Sequence, residues 1–283
     1  MGGSGAGIGR PRGETTRALR LPTAGRARIV WITATGVAGG SGALRGGAAA
    51  EIPAQARQAR QGQRHRHRLG NRAHRLGGLI FVTNPEFFTG TLIVTEQIPS
   101  VAVKSSSVFG IPSVYPDLTA LVEGSLDYLQ ASGRKRIAMI GYDLSLVGKY
   151  SLQRFQADLA ARGMTTRPFW NLQLSHNLAD GVRACADLLM HCSERPDGIV
   201  IIDDNLVPNF TAGLLASGVR IPDDLEVVAH ANFPWPTQSM VPVRRVGFDI
   251  HRMLELCVEI IAAQRDGKSV PELTLLPPCF QTS

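Results

Sequence analysis

The residues best placed to do chemistry are an acidic pair, Asp203 and Asp204, which follow the apolar run Ile199, Val200, Ile201 and Ile202. Carboxylates at the carboxyl end of a buried parallel strand lie where open α/β sheets hold their ligands, and they accept hydrogen bonds from hydroxyl or amino groups. The alternative is that they cap the helix that follows. Tyr142, Asp143, His176, His230 and Asn232 stand near other predicted strand ends, and Trp235, in Phe233-Pro234-Trp235-Pro236, offers an aromatic face for a planar or sugar-ring ligand. No nucleophile, paired carboxylate or metal constellation accompanies His176 or His230, so binding is expected and catalysis is not. No catalytic residue, metal ligand or cofactor is assigned.

These residues need a frame, and hydrophobic periodicity supplies it. Short apolar runs at 78–83, 100–103, 137–140, 199–202, 225–228, 243–248 and 273–276 read as strands. Between them, 117–132, 151–162, 178–190 and 250–265 carry apolar residues at helical spacing, and Gly133, Gly163 and Gly218 stand where helices end. In the helix 178–190 the inward set is read as Val182, Cys185, Leu188 and Leu189. Alternation of this kind predicts a doubly wound α/β fold with parallel sheets, whose right-handed crossovers bring strand ends to one edge.

Charge divides the chain. Residues 1–77 hold 14 Arg, no Lys and two acids, Glu14 and Glu51, a net of +12, so the rest carries −5 of the chain's +7. The folded part is therefore not a basic nucleic-acid-binding domain. Residues 1–27 read as a basic flexible arm, and its Gly9 to Gly13 stretch, GRPRG, is a weak match to an AT-hook. Residues 34–77 are an atypical, poorly patterned stretch; their abundant Arg, Gly and Ala fit translation of GC-rich DNA in a shifted frame, which sequencing the gene through this region tests. His65, His67 and His74 lie among arginines that would repel a cation. The four cysteines form no CxxC pair, and no stretch has the roughly 20 apolar residues of a membrane span, so a reduced, cytoplasmic chain without a membrane partner is expected.

Three segments then resemble one family. DYLQASGRKRIAMIG (127–141) is similar to the helix-to-strand junction of LacI/GalR regulators, PDGIVIIDDN (196–205) to their "PDAIFCANDxxA" strand, and GVRIPDDLEVVAHAN (218–232) to their "GLRVPEDVSVVGFDD" segment. The return strand PVRRVGFD (242–249) fits as well. The resemblance covers residues 78–283 and implies the periplasmic-binding-protein fold, its N-terminal part here degenerate. It implies two subdomains, 28–133 plus 244–268 and 134–243 plus 269–283, with a small-molecule effector, a sugar or other metabolite, in the cleft between them. A homodimer and a DNA operator are the further partners it implies, although no helix-turn-helix is recognisable.

By position, Asp204 matches the acid of the family's "ND" pair, Asn232 the second residue of its "FDD" turn, and His176 a place near the effector. Ser151 stands where the family has the Arg of "RxxGF", and Ala231 where it has the first Asp of "FDD", which removes two sugar-gripping groups. A repressor's sensing domain without enzymatic activity is the leading expectation. A solute-binding protein for a small molecule, which shares the fold, is the alternative.

Overall fold

The computed structural model describes residues 28–32, 76–82, 98–103, 110–142, 152–175 and 177–281. The chain forms two compact units, Met1–Ser113 with Cys257–Leu273 and Val114–Leu256 with Thr274–Ser283. The arm 1–27 and the stretch 34–75 lie outside the described residues.

In the first unit, strands β1 (Arg28–Ile32), β2 (Leu76–Phe81) and β3 (Ser100–Val103) lie side by side and parallel. Leu79, Ile80 and Phe81 are all buried, which is why β2 reads as an unbroken apolar run and not as an alternating one. Gly78 leaves the space that the Ile261 side chain fills. The Gln264 amide acts as a short extra strand on β3: the Ser100 N–H donates to its Oε1 at 3.0 Å, and its Nε2 donates to the Ser100 carbonyl at 2.8 Å.

The boundary between the units falls at the start of strand β4 (Ser113–Pro116). Asp117 then caps helix α1 (Leu118–Ala131), its Oδ1 accepting from the Ala120 N–H at 2.9 Å. After Gly133, whose φ of +78° suits a residue without Cβ, the second unit alternates regularly. Its further elements are β5 (Ile137–Gly141), α2 (Leu152–Ala161), β6 (Asn171–Gln173), α3 (Ala179–His191) and β7 (Gly198–Ile201). They continue with α4 (Val207–Ala216), β8 (Glu226–Phe233) and β9 (Arg244–Asp249), followed by α5 (Ile250–Arg265), which passes into the first unit at Cys257, and then β10 (Leu273–Leu276) and β11 (Cys279–Phe280). The sheet runs β11-β9-β8-β7-β5-β6, parallel throughout except where β11 returns antiparallel to β9.

One face of this sheet, with Ala138, Ile140, Ile199, Ile201, Val227 and Ala229, packs with Val182, Ala186 and Leu189 of α3 and with Val207, Phe210 and Leu214 of α4. The two helices approach so closely that a Cβ on Gly213 would collide with the Arg183 carbonyl oxygen. Ala186 and Met190, not Leu188, complete the inner stripe of α3; Leu188 is 64% exposed. Cys185 is half-buried.

At the amino edge of the sheet the acids are tied down. Asp197 Oδ1 accepts from the backbone N–H groups of Lys135 at 2.9 Å and Arg136 at 2.7 Å, and its Oδ2 pairs with Arg136 Nε at 3.3 Å. Glu226 accepts from the Tyr128 hydroxyl at 3.1 Å, with Arg134 at 3.9 Å. The Arg244 guanidinium lies over the rings of Tyr128 and Phe280, 5.5 and 5.2 Å from their centroids.

Helix α1 and strand β9 belong to the second unit and not the first, because the chain crosses before α1 and β9 hydrogen-bonds directly to β8. Strand β8 is longer than the 225–228 run, and β4 and β11, with two to four residues each, add strands that periodicity did not mark.

Candidate ligand site at the carboxyl edge of the second unit

Parallel pairing of β7 with β8, Ile201 opposite Ala229, sets the chain that leaves β7 beside the last residues of β8. There Asn232 Nδ2 donates to Asp204 Oδ2 at 2.6 Å. His230 and Asn232 share one face of β8, since side chains alternate along a strand, and His230 Nδ1 is 3.9 Å from Asp204 Oδ1. The Asp204 side chain is 18% exposed and that of His230 8%. The His230 ring also packs edge-on against Phe248, with centroids 5.6 Å apart.

The two acids divide their labour. Asp203 Oδ1 accepts from the backbone N–H of Asn205 at 2.9 Å and from its Nδ2 at 3.0 Å, an ordinary Asx turn. Asp204 does not cap α4, whose N-cap is Leu206 with no side-chain hydrogen bond to the helix. Only the Asp204 carbonyl serves local structure, accepting from Val207 N–H at 3.3 Å and from Thr237 Oγ1 at 3.1 Å. Its carboxylate is thus left to Asn232 and His230, and the Asn232 Oδ1 atom is buried without a donor.

The loop after β8 is stitched around Asp204. The Trp235 N–H donates to the Asn232 carbonyl at 2.9 Å, Arg245 Nη1 to the Thr237 carbonyl at 2.9 Å, and Met240 N–H to Thr211 Oγ1 of α4 at 3.0 Å. Trp235 remains 67% exposed, its indole edge-on to the His251 ring at 5.2 Å. Asp249 caps α5 beside it, Oδ1 accepting from His251 and Arg252 N–H at 2.8 and 3.2 Å.

Of the residues read from the sequence, Asp204 and Asn232 are in direct contact, and Trp235 belongs to the same turn as Asn232. Tyr142 follows the carboxyl end of β5 at the same sheet edge and is exposed. Asp143 and His176 lie outside the described residues. Trp170 is buried in the core next to α3 and is a packing residue. His230, one of the strand-end residues, stands beside Asp204, and Thr237 is the residue that sequence reasoning left out of the site. The spacing of His230 from Asn232, two residues on one strand, was the available signal for their shared face.

A family model described as a periplasmic binding protein-like domain matches residues 126–282, more than half of the chain. The chain belongs to the periplasmic binding protein-like domain family. Within that family its resemblance to LacI/GalR effector-binding domains holds. A stretch of 135 residues is 26% identical to the HTH-type transcriptional repressor PurR of Vibrio cholerae serotype O1 (strain M66-2), covering 45% of this chain and 40% of that repressor. The match therefore spans less than half the length of the repressor. Two solved structures share the fold: a regulatory protein of the LacI family from Chloroflexus aggregans and a LacI family transcriptional regulator from Lactobacillus casei with bound glucose. The first has a TM-score of 0.60 at 21% identity, over 78% of this chain and 80% of that one. The second has a TM-score of 0.57 at 19% identity, over 78% and 82%. Among the described residues, no helix is long and apolar enough to cross a membrane, and no cluster of three potential metal ligands forms.

Proposed function

We propose that this chain is the effector-sensing part of a LacI/GalR-type transcriptional regulator, and that a small metabolite binds at the carboxyl edge of the second unit. Asp204 and Asn232 grip it, with Tyr142 and Trp235 at the same sheet edge, and Asp143 and His176 are assigned to the site from the sequence. The observation that carries this reading is the Asp204 carboxylate, four-fifths covered yet not spent on capping α4. A charge in that position is retained at a cost that local structure does not require. The chain acts in the cytoplasm as a homodimer and without catalysis, and effector binding shifts a conformational equilibrium that is read out at a DNA operator.

The test is a thermal-shift screen of the purified chain against a panel of small metabolites, repeated on Asp204→Asn. At a hundredfold excess over Kd a ligand specific for the folded state contributes about 2.7 kcal/mol, a clear rise in Tm. At least one compound should raise the Tm of the wild type and not that of the variant. A panel in which nothing stabilises the wild type counts against the reading.

A further inference from the structure

We infer that the ligand of the Asp204 site presents a donor-only cationic group, an ammonium, amidinium or guanidinium, and not a neutral polyol. This rests on the reading of the site given above and names its ligand class. The Asp204 carboxylate has no Lys or Arg partner among the described residues; its contacts there are the neutral Asn232 amide at 2.6 Å and the His230 ring at 3.9 Å. The Asn232 Nδ2 group is spent on Asp204, while its Oδ1 atom is buried and lacks a donor. What Asp204 and Asn232 leave unmet is therefore acceptor capacity carrying a negative charge.

A hydroxyl brings an acceptor with every donor, and each acceptor needs a donor of its own once water is excluded. Ammonium and amidinium groups bring donors alone, and their charge balances Asp204 in a charge-assisted hydrogen bond. Trp235 adds an exposed indole, held near Asn232 by its backbone N–H and flanked by His251, on which a cation or a flat cationic ring can rest.

The experiment measures binding of benzamidine, agmatine, the neutral isostere benzamide and D-ribose to the full chain by calorimetry and tryptophan fluorescence. Benzamidine should bind at least about tenfold more tightly than benzamide, as expected for a charge-assisted hydrogen bond. Asp204→Asn should abolish that preference, and Trp235→Ala should weaken benzamidine about fivefold and remove the fluorescence response. Circular dichroism and Tm of each variant establish that it is folded. Benzamide or D-ribose binding as tightly as benzamidine, and still weakened by Asp204→Asn, overturns the cationic class and leaves the site standing. Benzamidine and agmatine failing to bind through the millimolar range overturns the inference. Binding of every probe unchanged in both Asp204→Asn and Asn232→Ala removes the site itself.

Discussion

The two edges of the second unit's sheet carry similar residues and use them differently. At the amino edge, Asp197 accepts two backbone N–H groups and pairs with Arg136, and Glu226 meets Tyr128 and Arg134. At the carboxyl edge, Asp204 has one neutral donor and an imidazole at 3.9 Å. Six residues of one strand and its exit turn separate Asp197 from Asp204. The contrast teaches that a carboxylate's role follows from what the backbone asks of it. Asp197 fills the gap left where two strands begin, while Asp204 stands where backbone donors are already satisfied.

Substitutions at the amino edge should therefore be the most damaging. Asp197→Ala removes the acceptor of two N–H groups and is expected to cost about 2 kcal/mol, read as a lower urea midpoint at unchanged slope, with ligand affinity per folded molecule intact. Arg244→Ala should cost about 1 kcal/mol through lost contact with Tyr128 and Phe280, and hydrogen exchange should show faster exchange at β11 than in the wild type.

Smaller still is the turn before β8. Arg220 donates to both carboxylate oxygens of Asp224, at 3.0 and 2.8 Å, and holds its carboxyl below the ordinary carboxylate range. A lowered carboxyl stabilises the fold above its unfolded pKa and loses that contribution as pH falls through the folded pKa. For so exposed a pair the effect should be visible as an NMR titration that moves up in Arg220→Ala, with no measurable change in melting at neutral pH.

Much of this frame was legible before the structure. Strands β5, β7 and most of β2 are covered on both faces, so their apolar runs are continuous and hard to misread. Strand β11 has only two residues, and β8 continues through Ala229, His230, Ala231 and Asn232, where small and polar residues hide a strand that is nonetheless buried. A chain crossing between units leaves no periodic trace: α1 looks the same whichever unit it packs in. Asp204 and Asn232 were found by their place in a motif, whereas their contact spans 28 residues and arises from the β7–β8 register. His230 was legible as a polar residue at a strand end, whereas its nearness to Asp204 follows from the same register.

The claim that Asp204 serves a ligand and not the fold is tested most directly by the urea stability of Asp204→Asn. An asparagine there still accepts from Asn232 Nδ2 and adds a donor beside the unmet Asn232 Oδ1, while the partly buried charge disappears. Stability should be unchanged or slightly raised. A loss of about 2 kcal/mol, as at Asp197, would mean that Asp204 is a structural acid like its counterpart at the other edge.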